Sequence, residues 1–297
     1  MKSASPNPRR AWLQLATAVV LFGLSWPVMK MTLAAGTPVW TAAARVSLSC
    51  LSSFVLLGGM RRLAWPTRAD WPIILSVGIL QLTCFFAFAN LGMLVLPAGR
   101  SGVLAYTTML WMVPFSLVAN ERVGWRGIAG AVLGLVGIVV LVDPQRFDWS
   151  QKSILMGHAW LLAGGFAWAL AIFHARHHHW RLTPLQVLPW QMAVATVCLW
   201  ALALLFEPAG HLDFDKHALW WGLLYLGVLA GPTATWAAVS VARALPPITG
   251  SLGMLGVPLL GIVASVVLLS EPVTLSLALG TALVIAGIAI VLLDRKP

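Results

Sequence analysis

The feature that most constrains this chain is a repeated run of apolar residues, each about 20 residues long and nearly free of charge. Such a run can cross the ~30 Å hydrocarbon layer of a bilayer as an α-helix. Only 9% of the 297 residues are charged, against about 25% in soluble globular proteins, which is too few to cover a water-exposed surface. The runs lack the alternation of barrel strands. The sequence therefore predicts an all-α integral membrane protein with the lipid bilayer as its surroundings.

Ten such runs follow one another, and the connections between them are too short to hold a soluble domain. The predicted spans cover residues 12–34, 38–58, 72–94, 97–119, 124–142, 155–175, 184–205, 218–240, 246–269 and 273–293. With the N-terminus inside, 13 of the 19 lysines and arginines fall on the inner side. The positive-inside rule therefore predicts that both termini lie in the cytoplasm.

The chain carries the same order of landmarks twice, which predicts two related halves, residues 1–148 and 149–297. Each half holds five spans, and an odd number forces the second half to enter the membrane from the opposite side. The halves are thus predicted to be inverted repeats, with a chamber near mid-membrane between them. The matching landmarks are Leu96-Pro97 with Leu245-Pro246, Glu121 with Glu271, Gly130 with Gly280, Gly137 with Gly287, Thr37-Pro38 with Thr183-Pro184, Arg45 with Gln191, and Gly78 with Gly227.

Several functions that the composition could suggest are excluded. The net charge of +10 does not indicate nucleic-acid binding, because the basic residues are spread thinly over loops. The three cysteines lie in apolar runs without metal-ligand spacing, and His177-His178-His179 is expected to be a plain basic loop. No motif for a nucleophile, base or metal set occurs at membrane depth, so we expect neither an enzyme nor a cofactor or metal.

All nine acidic residues lie at predicted span ends or in loops. Carboxylates at mid-membrane are the usual proton or sodium relays of coupled transporters. Their absence predicts passage driven by the gradient of the cargo alone, with His158 and His174 as the alternative titratable groups. Glu121 and Glu271 sit in short turns, where we expect each to cap the following helix.

A set of polar and aromatic residues falls at mid-membrane depth and is predicted to line the chamber. Amide and hydroxyl groups could bond a polar headgroup, and the rings could stack on an apolar side chain or cover an ammonium. For any single residue, burial in helix packing is the alternative. The candidates are Trp26, Gln81, Phe85, Phe88, Tyr106, Thr107, Trp111, Trp168, Thr233, Thr235, Trp236 and Ser251.

Four prolines are predicted to interrupt spans and to act as hinges: Pro27, Pro114, Pro232 and Pro258. Each removes a helical hydrogen bond, and the alternative is a static kink needed for packing. Arg45 is the one full charge well inside a span. It is either a counter-ion for a carboxylate of the cargo or a gate residue, or else a structural arginine bonded to helix-end carbonyls. The glycines of spans 5 and 10 indicate a packing scaffold.

The ten-span plan resembles the EamA family of the drug/metabolite transporter superfamily. The resemblance rests on the motif FGLSWPVMK at Phe22 to Lys30, on the span with Pro38 and Arg45, and on the two Glu turns followed by Gly-rich spans. It implies a monomeric exporter of small molecules in the inner membrane that works by alternating access. The chain is most similar to the YddG-type exporters of aromatic and neutral amino acids. A drug, purine or sugar derivative as cargo stays open, as does proton coupling.

Overall fold

The computed structural model describes residues 8–120, 124–142, 152–245 and 247–294. Within these residues it contains ten helices long and apolar enough to cross a membrane, each within about three residues of its predicted span. The ten-helix prediction is therefore confirmed. The helices are α1 Arg9–Leu33, α2 Pro38–Gly59, α3 Trp71–Met93, α4 Ala98–Val118, α5 Trp125–Val142, α6 Lys152–His177, α7 Pro184–Phe206, α8 His217–Val241, α9 Thr249–Leu269 and α10 Leu275–Leu293.

Short connections make successive helices run in opposite directions, so the bundle has two faces. The far face carries the connections at residues 34–37, 94–97, 207–216 and 270–274. The terminal face carries residues 60–70 and 178–183 together with the first and last described residues. Hydrogen bonds join connections within each face, as between Thr37 N–H and the His211 carbonyl at 3.1 Å. The boundary predicted between residues 148 and 149 lies outside the described residues.

Glycines set the closest helix contact of the bundle, between α5 and α10. A Cβ atom added to Gly130 would lie 2.7 Å from the Gly287 carbonyl oxygen, and one added to Gly137 would lie 2.7 Å from the Val284 amide nitrogen. Only glycine lets two helix backbones approach this closely. The packing scaffold predicted from the Gly pattern is therefore present.

Equivalent residues of the two halves make equivalent contacts. A Cβ atom on Gly78 of α3 would lie 2.8 Å from Val194 of α7, and one on Gly227 of α8 would lie 2.7 Å from Leu48 of α2. Both contacts join the third helix of one half to the second helix of the other half. This exchange is what two intertwined, related halves would produce.

The helices that surround the centre of the bundle are irregular at equivalent places. Helices α3 and α8 contain the π-helical segments Val77–Cys84 and Tyr225–Thr233, and α-helical structure in α4 and α9 is interrupted at residues 106–107 and 255. In each π segment a threonine hydroxyl donates to the carbonyl five residues earlier, from Thr83 to Gly78 at 2.8 Å and from Thr233 to Val228 at 3.4 Å. Such irregularities are frequent at functional sites.

The four prolines predicted as hinges occupy different settings. Pro232 lies inside the π segment of α8, and Pro258 stands in the first turn after the break in α9. Pro27 and Pro114 lie within continuous helix, in α1 and in the second segment of α4. The break in α4 occurs about two turns before Pro114, where Tyr106 and Thr107 leave the helical hydrogen-bond pattern.

Candidate functional site

Aromatic rings of three helices meet at mid-depth. The Phe85 ring of α3 contacts the Trp168 ring of α6 edge-on, with centroids 4.5 Å apart and planes at 77°. Phe85 also contacts Trp26 of α1 edge-on at 6.4 Å. Trp26 and Phe85 are buried, whereas Trp168 keeps part of its surface accessible. Edge-to-face pairs of this kind add stability beyond the area that they bury.

Two further predicted residues contact α6 outside this cluster. Phe88 of α3 stacks on Trp160 at 5.0 Å, one helical turn towards the far face. Trp111 of α4 contacts Phe166 edge-on at 5.2 Å, on another side of α6. Helix α6 therefore presents aromatic contacts in two directions. The structure brings Trp26, Phe85 and Trp168 together, and it places Phe88 and Trp111 beside them in separate pairs.

Most of the predicted hydroxyl groups are bonded within their own helices. Thr107 donates to the Leu104 carbonyl at 2.6 Å, and Thr235 donates to the Gly231 carbonyl at 2.6 Å. The Thr233 hydroxyl donates to the Val228 carbonyl within the π segment of α8. By contrast, Gln81 of α3 and Ser251 of α9 are half-buried and make no hydrogen bond to any residue that the structure describes. These two side chains remain free for a ligand.

The remaining chamber candidates lie at different depths. Tyr106 packs against the central hydrophobic core, next to the break in α4. Trp236 lies closer to the terminal face, where it lines an apolar groove of about 260 Å³ between α2, α7 and α8. Arg62, Thr183 and Gln186 also line this groove.

Polar contacts at the far face join helices within and between the halves. Glu271, in the connection before α10, accepts hydrogen bonds from the backbone N–H groups of Ala98 at 2.6 Å and Gly99 at 3.0 Å. Lys30 of α1 donates to the carbonyls of Met93 and Leu96 between α3 and α4. We call these contacts the far-face seal. They join α1, α3, α4 and α9 around one point.

The prediction that Glu271 caps its own following helix is wrong. Thr274 takes that position, since its hydroxyl accepts from the Leu277 N–H at 3.1 Å. Glu271 caps α4 of the other half instead, where a carboxylate complements the positive end of the helix dipole. Its predicted counterpart Glu121 lies outside the described residues.

The two faces differ in helix packing. At the far face α1 packs against α3 and α4, and α4 packs against α9. By the match between the halves, the equivalent pairs at the terminal face are α6 with α8, α6 with the first segment of α9 (Pro247–Met254), and that segment with the second segment of α4 (Thr108–Val118). Among the described residues these pairs are at most sparsely in contact. The described parts of these helices are therefore in closer contact at the far face than at the terminal face.

Arg45 lies inside the bundle with only 7% of its surface exposed. Its Nη1 donates to Met29 Sδ at 2.8 Å, and its guanidinium carbon stands 4.1 Å from the centre of the Phe86 ring. It bonds no helix-end carbonyl among the described residues. The structure therefore does not support the alternative that Arg45 is a structural arginine bonded to helix-end carbonyls. Sequence reasoning missed Phe86 and Met29, because nothing local in the sequence pairs them with Arg45.

The acidic residues that the structure describes hold connections together at the faces. Glu207 accepts from the N–H groups of Val39 and Trp40 at the start of α2. At the terminal face Asp70 accepts from the N–H groups of Arg181 at 2.7 Å and Leu182 at 3.0 Å. Burial raises the pKa of the Asp70 carboxyl, but hydrogen bonds from Thr67, Leu182 and Arg181 outweigh it and lower the pKa to about 2.

The alternative titratable groups have local hydrogen-bond partners. His158, buried in α6, lies with Nδ1 at 2.9 Å from the Ile154 carbonyl of its own helix. His174 lies with Nδ1 at 2.7 Å from the Ser76 hydroxyl of α3. In the basic loop, His178 Nε2 lies 2.9 Å from the Ala69 carbonyl. These partners serve helix and loop packing.

Comparison with known proteins places the chain among membrane transporters. The model of the EamA-like transporter family matches residues 9–143 and again residues 155–293. The chain is 26% identical to a probable amino-acid metabolite efflux pump of Salmonella typhimurium, covering 92% of this chain and 91% of that protein. It is 28% identical to the aromatic amino acid exporter YddG of Ancylobacter novellus over 77% and 79%.

A further relative is an uncharacterized transporter, YvbV, of Bacillus subtilis, 26% identical over 96% of this chain and 92% of that protein. A solved crystal structure matches the fold with a TM-score of 0.64 at 22% identity, covering 96% of both chains. At this identity the structure supports the fold alone.

Proposed function

Since the chain belongs to the EamA-like transporter family, we propose that it exports neutral amino acids, aromatic ones foremost, through the centre of the bundle by alternating access. Two relatives named for amino-acid efflux or export support the cargo class. The cluster of Trp26, Phe85 and Trp168 supports an aromatic or other apolar side chain, since rings of this kind stack on one another.

The observation that carries this proposal is the difference between the two faces. A transporter that alternates must have one face sealed while the other can open. At the far face Glu271 joins the two halves, and Lys30 joins α1 to the end of α3 and to the connection before α4. The equivalent helix pairs at the terminal face are sparsely packed among the described residues. We assign this structure to the state that receives cargo from the terminal face.

Orientation follows from the charge distribution of the sequence. The terminal face carries most of the lysines and arginines, so we place it in the cytoplasm of a bacterial cell, with the protein in the inner membrane as a monomer. Cargo then enters from the cytoplasm and leaves at the far face. This is the direction of export.

The proposed binding set is the mid-depth layer. Gln81 and Ser251 offer polar groups that have no partner among the described residues, and the aromatic cluster offers an apolar wall. Movement is assigned to the π segments and to the breaks at Tyr106–Thr107 and Leu255, with Pro232 and Pro258 beside them. Pro27 and Pro114 remain candidate bending points within continuous helices. Arg45 belongs to the moving region, because it contacts α1 and α3.

We propose that passage is uncoupled. The carboxylates that the structure describes beside spans, Asp70, Glu207 and Glu271, are bonded to backbone N–H groups at the faces. They therefore hold helix ends and connections, and none of them stands at mid-depth in the path of the cargo.

The proposal can be tested in bacterial cells that lack their own aromatic amino-acid exporters. Cells that produce the protein should retain less labelled phenylalanine after a dipeptide load than cells with an empty vector. They should also tolerate a toxic phenylalanine analogue better. Equal retention and equal tolerance, with the protein present in the membrane, would refute amino-acid export. A parallel panel of purines, sugars and drugs would then identify the other cargo class.

A further inference from the structure

Arg45 carries a buried charge that the protein itself does not neutralise. A guanidinium has five N–H donors, and among the described residues only Nη1 finds an acceptor, the weakly accepting Met29 sulfur at 2.8 Å. Nε is completely buried and has no partner within the described parts of the chain. An unpaired charge and an unsatisfied donor in an apolar interior are costly, so an arginine retained there indicates a use other than packing.

The carboxylates nearest the far face are not available to this arginine. Glu207 is bonded to the N–H groups of Val39 and Trp40, and Glu271 is bonded to those of Ala98 and Gly99. The amide of Asn90, also on the far-face side, is turned to Pro38 and Thr41. No described residue therefore supplies the anion that would match the guanidinium.

The guanidinium is linked to the aromatic cluster through one ring. The guanidinium carbon lies 4.1 Å from the centre of the Phe86 ring, and the ring centres of Phe86 and Phe85 are 5.6 Å apart. Phe85 in turn contacts Trp168. Phe86 thus contacts both the positive charge and one ring of the proposed binding layer.

The equivalent position of the other half carries no charge. Gln191 of α7 is equally buried, with 7% of its surface exposed, and it is neutral. The centre of the bundle is therefore electrostatically one-sided, with its positive group on α2. A zwitterionic cargo in such a chamber would orient its carboxylate towards α2.

We propose that Arg45 binds the carboxylate of the cargo, with Phe86 as the ring that covers the guanidinium when no cargo is bound. The planar fork of a guanidinium matches a carboxylate with two parallel hydrogen bonds, and the unpartnered Nε lies on one edge of that fork. This inference rests on the proposed function for the identity of the cargo, and it adds that a carboxylate is required.

The test compares phenylalanine with one probe that lacks the carboxylate and one that lacks the ammonium group. Binding of labelled phenylalanine, phenylalanine amide and 3-phenylpropionate is measured on the purified protein and on R45Q, R45K and Q191M. We expect R45Q to bind phenylalanine and 3-phenylpropionate about 10- to 100-fold more weakly, as loss of a charged hydrogen-bond pair implies. Binding of the amide should change less than threefold. R45K should recover part of the loss, and Q191M should behave as the unchanged protein does.

Each outcome separates this inference from the proposed function. Equal weakening of all three probes in R45Q would show a purely structural arginine and would overturn the inference, and so would unchanged binding of the two carboxylates. Thermal unfolding of each variant identifies a folding defect. If R45Q does not fold, R45K is used instead, and its relative affinity for phenylalanine and phenylalanine amide decides whether the carboxylate is recognised. If the unchanged protein binds 3-phenylpropionate through Arg45 but no amino acid, the amino-acid proposal fails and carboxylate recognition stands. If it binds no carboxylate, both fail.

Discussion

Removing the carboxylate of Glu271 should open the far face. The variant E271Q keeps the shape of the side chain but can accept only one of the two hydrogen bonds from Ala98 and Gly99. A hydrogen bond to a charged group contributes about 1.5–3 kcal/mol, so the sealed state should lose about that much. Because about 1.4 kcal/mol is a factor of ten, we expect the ratio of sealed to open molecules to fall roughly 10- to 100-fold.

The opening can be measured as a distance between spin labels at residues 94 and 273. Leu94 and Val273 are exposed at the far face, at the end of α3 and beside Glu271. The labels are introduced after Cys50, Cys84 and Cys198 have been replaced by serine or alanine. The unchanged protein should give one short distance distribution, and E271Q should add a longer population.

A second glutamate provides the matched control. Glu207 also accepts backbone hydrogen bonds at the far face, but it joins α7 to α2 and takes no part in the seal. E207Q should therefore lower thermal stability and leave the 94–273 distance unchanged. An E271Q distribution identical to that of the unchanged protein would refute the assignment of Glu271 to the seal.

Four further substitutions test the scaffold, the terminal face and the binding layer. G130V should destabilise the α5–α10 contact by about 1–3 kcal/mol, because its new side chain meets the Gly287 carbonyl, and a normal melting temperature would contradict this. Asp70 has its pKa lowered from 3.8 to about 2, so its stabilising effect should be complete above pH 3.8 and lost as the pH falls through 2. D70N should unfold more easily near neutral pH, and its stability should depend less on pH in the acid range. An unaltered dependence of stability on pH in D70N would contradict this role of Asp70. W168A should weaken phenylalanine binding at least ~5-fold, as loss of an aromatic contact implies, and Q81A should weaken it while membrane insertion stays intact. W160A, on the same helix as Trp168, serves as comparison. Equal effects of W168A, Q81A and W160A on phenylalanine binding would contradict the proposed layer.

The sequence predicted the helices well because bilayer thickness dictates their length. It also matched Gly78 with Gly227, which the structure places in equivalent contacts with Val194 and Leu48. These features depend on composition and spacing, which are visible locally. Each apolar run must satisfy its own backbone hydrogen bonds in lipid, so its limits follow from the run itself.

The details of the centre could not be predicted in the same way. Proline alone did not locate the helix breaks, because continuous helices accommodate Pro27 and Pro114 while α4 breaks at Tyr106 and Thr107. The irregular segments depend on neighbouring helices. Their local signals are a threonine in each π segment, Thr83 and Thr233, and Pro232 in the second one.

Long-range partners were invisible for a similar reason. Glu271 caps a helix that begins more than 170 residues earlier in the chain. Arg45 and Phe86 meet only after α2 and α3 have packed together. Neither pairing leaves a spacing pattern in a single sequence, so the candidate site was predicted as a layer and not as a set of contacts.

The most direct test of the central claim is counterflow with the purified protein in liposomes. Vesicles loaded with unlabelled phenylalanine are diluted into a trace of labelled phenylalanine at equal pH on both sides. Transient, saturable accumulation of the label, unchanged by an imposed pH gradient, is the result predicted for an uncoupled amino-acid exporter. Uptake no greater than that of protein-free liposomes, for every amino acid tried, would contradict it.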